Sequence, residues 1–254
     1  MMRIRRFDRR HMVPFRTVLL FAIALSAWHL SLQAASSQDH AWPSCRDAKS
    51  VPQKVEACSR VIPGLRDVKR AERAYLRRGL AFVELRQFDQ AIQDFDALIR
   101  LNGQVAGYFD NRMNAHRQKG DLARALRDAD AAVQLAPGHA FVYRSRGIVN
   151  EDLGRYPDSI RDFSSGLQIE PGNAGLHMDR GRLLAKLGDV KGAVRDFTTT
   201  LSLDPKWNQA LKERGMAYVA LGEPIKAKAD LRLYMQLEPA DADAAAALAI
   251  LGPN

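Results

Sequence analysis

The chain has 254 residues, 38 of them Lys or Arg and 29 Asp or Glu, for a formal net charge of +9. Six of the arginines and one aspartate fall in residues 1–36, so the remainder carries only +4 and no nucleic-acid-binding excess. His40, His116, His139 and His177 and the two cysteines lack metal-ligand spacing, so neither enzymatic activity nor a cofactor or metal is expected.

Residues 1–36 read as a secretory leader. Arg3, Arg5, Arg6, Arg9, Arg10 and Arg16 precede an apolar run from Val18 to Leu32, followed by Ala34-Ala35-Ser36. Positive charge, then an apolar core, then small residues is the order of a signal peptide. The run is about 15 residues, interrupted by Ser26, His29 and Ser31, where a spanning helix wants ~20. Cleavage after Ala34 or Ser36 fits, with Met1 or Met12 as the start. The chain is then expected in the periplasm without stable membrane insertion; an uncleaved N-terminal anchor is the alternative.

Residues 37–71 form a degenerate N-terminal helical cap. Pro43 and Pro52 fit the starts of two short helices, and Pro63-Gly64 ends the second. Cys45 and Cys58 are the only cysteines, and an oxidising compartment pairs them. A bridge over so short a loop contributes roughly 3 kcal/mol at most, as a staple for a truncated unit. The absence of Cys-x-x-Cys speaks against a redox role.

From Glu72 to Asp241 a 34-residue period runs without insertion, in copies 72–105, 106–139, 140–173, 174–207 and 208–241. Position 8 holds Gly79, Met113, Gly147, Gly181 and Gly215, and position 20 holds Ala91, Ala125, Ser159, Ala193 and Ala227. Position 24 holds Phe95, Ala129, Phe163, Phe197 and Leu231. Apolar residues at helical spacing, as in Ala91, Ile92, Phe95, Leu98 and Ile99, lie between two marks. These are glycine at position 15 (Arg86 in the first copy) and proline at position 32 (Gly103 in the first). Glycine ends one helix and proline closes the next, so each copy is a helical hairpin. Glycine inside the first helix, at about 1 kcal/mol against alanine, implies a partner helix too close for a side chain. The small residue at position 20 is expected to supply the other half of that contact. Position 7 is arginine and position 23 aspartate in all five copies, which predicts an ion pair within a repeat or between successive repeats. The second copy carries Met113 and Ala129 where glycine and phenylalanine belong, a volume compensation. With His116 and Lys119 at usually apolar positions, it is expected to be the least stable copy.

These columns resemble the tetratricopeptide repeat family over all of 72–241: small residues at 8 and 20, bulky apolar at 11 (Phe82, Leu184, Tyr218), aromatic at 24, proline at 32. The resemblance implies an all-α, right-handed solenoid whose first helices line a concave face that binds protein or peptide. Carried backwards over 38–71, the register puts Cys45 at position 8, Ala57 at 20 and Cys58 at 21, and this unit resembles the opening segment of exported bacterial tetratricopeptide proteins. In the family, positions 2, 5, 6, 9, 12 and 13 face the groove. The candidate binding residues are therefore Asp110, Asn111, Asn114, Arg117, Phe141, Arg144, Glu151 and Arg182, accompanied by Asp152, Asp179 and Lys186. The family's clamp for acidic chaperone tails is not matched: its five positions read Leu76, Leu80, Asn111, Phe141 and Ser145. The expected function is a periplasmic protein- or peptide-binding scaffold; the alternative is an adaptor of an envelope assembly that uses its ends or convex face.

Residues 242–254 read as an alanine-rich capping helix, with Asp241 or Asp243 favourable at its start. Its outer face is short of charge, which leaves homodimer contact through this end open.

Overall fold

The computed structural model describes residues 42–252; the expected leader at 1–36 lies outside the described residues, as do 37–41. The chain divides into two compact units after Asp94. The described residues are all-α, without a strand.

The first unit begins with α1 (helical residues 42–47) and α2 (Val51–Val61). A 3-10 turn at Ile62–Gly64 leads to α3 (Val68–Glu84) and the start of α4 (Phe88–Leu101). Ser50 and Gln53 form a capping box at the start of α2, each side chain accepting from the other's backbone N–H. A Cys45–Cys58 disulfide joins α1 to α2 and packs with Trp42, Val61 and Ala74. Arg77 on α3 donates to the carbonyls of Cys45 (3.1 Å) and Ala48 (2.9 Å), satisfying acceptors that the end of α1 leaves open. Arg86 takes the left-handed conformation (φ 57°) at the turn where every later repeat has glycine.

The second unit is a solenoid of hairpins. The first helices are α5 (Ala106–Gln118), α7 (Ala140–Asp152), α9 (Ala174–Lys186) and α11 (Asn208–Ala220). They pair with α6 (Leu122–Leu135), α8 (Tyr156–Ile169), α10 (Val190–Leu203) and α12 (Pro224–Leu237). Each second helix also packs on the next first helix, and α13 (Ala242–Ile250) closes the array on α11 and α12. Gly120, Gly154, Gly188 and Gly222 all have positive φ (69–88°), so the glycine mark ends each first helix as expected. First helices also touch one another, α5 with α7 and α9 with α11, whereas α6, α8, α10 and α12 make no comparable mutual contact. The first helices therefore lie on the inside of the curve.

The glycine column has a different partner from the one the sequence suggested. A Cβ on Gly147 would sit 2.6 Å from Phe163 Cε1, on Gly181 2.8 Å from Phe197 Cε1, and on Gly215 2.8 Å from Leu231 Cγ. The space is filled by the side chain at position 24, not by the small residue at position 20. In the second repeat the exchange is direct: Met113 is buried in one cluster with Ala129, Ala125 and Val149.

Candidate functional site

The scaffold of the site is the arginine at position 7. In the second unit it forks the aspartate at position 23 of its own repeat: Arg112–Asp128, Arg146–Asp162, Arg180–Asp196 and Arg214–Asp230, each with a contact of 2.6–2.8 Å. Its Nη1 reaches back to position 25 of the preceding repeat, to Asp96, Asp130, Ser164 and Thr198. In the first unit Arg78 forks Asp94 and reaches Ser59. The sequence left open a pair within a repeat or between repeats; one guanidinium does both. Planar bidentate geometry explains why arginine and not lysine fills the column.

Burial makes these pairs consequential. The carboxylates are nearly enclosed, with Asp162 4% and Arg146 26% exposed at the side chain. Burial pushes the Asp94 carboxyl above its ordinary value against the opposing pull of Arg78, while the aspartate hydrogen bonds raise Arg112, Arg146, Arg180 and Arg214. Three residues earlier, Tyr75, Phe109 and Tyr143 cover the guanidinium at 5.7–5.9 Å. In the fourth repeat His177 takes that place and bonds Asp196 through Nδ1 at 2.9 Å. Position 11 closes the other side. Asn150 donates to Asp162 (2.9 Å), and buried His116 stands 4.0 Å from Asp128 with Nδ1 unpartnered. Burial pushes the His116 imidazole below its ordinary value.

The candidate groove residues all lie on α5, α7 and α9, the inner helices. Arg117 bonds Asp152 and Arg144 bonds Asp179, both through Nε at 2.6 Å and both from one repeat to the next. Asn114 accepts from Gln118 on its own helix. Asp110 is partly buried with Oδ1 unpartnered, and desolvation raises its carboxyl although Ser145 hydrogen-bonds it. Phe141 is 42% exposed, its ring tilted 57° to that of His139 at 6.1 Å between centroids. Asn111 and Glu151 are half-exposed and Arg182 is exposed. The Arg117–Asp152 and Arg144–Asp179 pairs are not evident from the separate charges in the sequence. Their signal was a separation of 35 residues, one more than the period.

At the last repeat, Lys212 bonds Asp241 (2.7 Å) and reaches Asp243, while Tyr234 donates to Asp241. With the Ala244 N–H as a further donor, the Asp241 carboxyl is held well below the usual carboxylate range. Gln209, Lys212, Glu213, Met216, Val219 and Ile250 are among the residues around a shallow cleft between α11 and α13. Among the described residues no cluster of His, Cys, Asp and Glu suits a metal ion, and no helix is long and apolar enough to cross a membrane.

Models of the tetratricopeptide repeat match residues 72–104 and 111–174. This is a tetratricopeptide repeat protein. Solved structures of the same architecture agree. A tetratricopeptide repeat protein from Parabacteroides merdae has a TM-score of 0.65 at 15% identity, covering 87% of this chain and 94% of its own. A thermophilic one from Thermus thermophilus scores 0.56 at 20% identity, covering 71% and 98%. YrrB, described as a tetratricopeptide protein with an unusual peptide-binding site, scores 0.57 at 17% identity, covering 76% and 98%. No curated protein sequence matches this one. At these identities the solved structures speak to the tetratricopeptide fold alone.

Proposed function

We propose that this tetratricopeptide protein is a non-enzymatic scaffold that holds an extended segment of a partner protein or peptide in the groove of repeats two to four. The carrying observation is the pair of clamps Arg117–Asp152 and Arg144–Asp179. Each fixes a guanidinium through Nε and leaves its Nη atoms for a ligand carbonyl or carboxylate. Around them, the amides of Asn111 and Asn114 can serve both N–H and C=O groups of an extended chain, and exposed Phe141 offers apolar contact. The peptide-binding site described for YrrB supports this use of the fold. Export to the periplasm is supported by the leader-like N-terminus and by the Cys45–Cys58 bridge, which belongs to an oxidising compartment.

The test is in-cell photocrosslinking from position 141, in the native protein and in the combined variant Asn114→Ala, Arg117→Ala, Arg144→Ala. Loss of the crosslinked species, with the melting temperature unchanged, is the expected result; an undiminished pattern refutes the groove. Fractionation and N-terminal sequencing check export, with a mature start after Ala34 or Ser36 expected. A second reading, an adaptor working through its ends or convex face and open to homodimer contact at α13, draws on Ile225 and Ile250, which are 85% and 83% exposed.

A further inference from the structure

The outer face of the last hairpin departs from those before it. Positions 18, 22 and 26 of a second helix lie one above another at i, i+4 spacing. They read Ala123, Arg127, Ala131 in α6, then Pro157, Arg161, Ser165 in α8, then Lys191, Arg195, Thr199 in α10. In α12 they read Ile225, Ala229 and Leu233: the arginine is gone and two branched apolar side chains flank an alanine. Ile225 is 85% and Leu233 47% exposed, and Ala229 is exposed between them.

The edge of this stripe has changed sign. At position 25 the upstream repeats carry Asp130, Ser164 and Thr198, acceptors for the arginine of the repeat that follows. The last repeat carries exposed Arg232 there, a donor. No further arginine column follows, because α13 occupies the next first-helix place with Leu248 in the arginine register. That helix has 9 residues where α5, α7, α9 and α11 have 13. On the outer surface of α12 itself, Pro224, Ile225, Lys228, Ala229 and Arg232 line an open cleft along its N-terminal half.

We propose that this cleft docks an amphipathic helical segment of a partner protein, with an apolar stripe bordered by carboxylates. Ala229 lets the incoming helix approach between Ile225 and Leu233, and a carboxylate meets Arg232, reversing the polarity of the array's own junctions. An end shaped only for solubility would be polar throughout. A second copy docked stripe to stripe would bring both copies of Arg232 to one seam, with no carboxylate in the stripe to meet them. A lipid surface is the competing occupant of so exposed a stripe, and vesicle flotation distinguishes it.

The proposal is independent of the groove and is tested on the full chain with synthetic probes. Two stapled helical peptides carry leucine at i, i+4 and i+8, one bordered by glutamates and the other by lysines. Binding is read by fluorescence anisotropy, alongside flotation with phosphatidylglycerol vesicles and sedimentation of the protein alone. The glutamate peptide binds and the lysine peptide does not. Ala229→Arg, which restores the upstream residue, and Arg232→Glu each weaken binding by about tenfold or more. Arg232→Glu gains affinity for the lysine peptide. The variant Asn114→Ala, Arg117→Ala, Arg144→Ala binds the glutamate peptide as well as the native protein, so failure of the groove and failure of this site are told apart. Equal binding of both peptides, or binding indifferent to Ala229→Arg, overturns the proposal. So does vesicle flotation or self-association that those two substitutions abolish.

Discussion

Repeat two has exchanged the volumes at positions 8 and 24, and the same exchange should be transferable to repeat three. Gly147→Met alone forces a Cβ to 2.6 Å from Phe163 Cε1 and 2.8 Å from Cδ1, against a ring that is fully buried. Overpacking of this kind costs ~1–3 kcal/mol, and leaving glycine in a helix interior returns about 1, for a net loss of ~0–2. Phe163→Ala alone opens a cavity worth ~3–5 kcal/mol. If the sites were independent, the double variant would lose ~3–7 kcal/mol, about 5 at the midpoint. Because Met113 and Ala129 already coexist in one buried cluster, the double variant should lose only ~2–3, a coupling of about 2 kcal/mol or more. Urea denaturation followed by circular dichroism, with the disulfide intact, measures each corner of the cycle. Additivity within ~0.5 kcal/mol would show that position 24 is not what excludes a side chain from position 8.

Asp162→Ala strands Arg146 and Asn150 in a buried setting and should cost ~3–5 kcal/mol by the same assay, whereas Asp130→Ala, at a 47% exposed side chain, should cost ~0–1. Equal losses would mean that the reach to the preceding repeat matters as much as the fork. Burial holds His116 below its ordinary 6.5, with Arg112 and Arg124 adding to the effect and Asp128 and Asp121 opposing it. The unfolded chain therefore takes up the proton first, so this stabilising contribution is complete above about pH 6.5 and declines as pH falls below it. His116→Tyr, the residue type of Tyr218 at the same position, should flatten the melting temperature between pH ~7 and ~5; an unchanged slope refutes the assignment. Replacing Cys45 and Cys58 by serine should cost up to ~3 kcal/mol, with hydrogen-exchange protection lost first in α1 and α2. Loss spread evenly over α5–α12 would contradict that staple role.

The hairpins were legible because a period of 34 fixes phase: each glycine and proline mark recurs where the chain must turn, whatever the intervening side chains. The arginine and aspartate columns announced a pair, but not its double reach. Position 25 varies between Asp96, Asp130, Ser164 and Thr198, which share acceptor chemistry and not identity. The sequence does not single out the packing partner of the glycines, because the small residue at position 20 and the bulky one at position 24 both recur with them. The correlated departure of Met113 and Ala129 was the discriminating signal. The helices that carry the candidate groove residues follow from the period, whereas the ties Arg117–Asp152 and Arg144–Asp179 depend on the offset between adjacent first helices, which one period does not encode.

The reach of each arginine to a generic acceptor also governs how such an array can change length. Excising residues 140–173 in frame would bring Arg180 to Asp130, an acceptor as good as the Ser164 it loses. The inner surface is less forgiving. The same deletion would set Arg117 beside Lys186 and Asp110 beside Asp179, like charges where the full-length array has opposite ones or none. Repeats can thus be added or lost as interchangeable modules of architecture, while the groove remains a message written in a particular order.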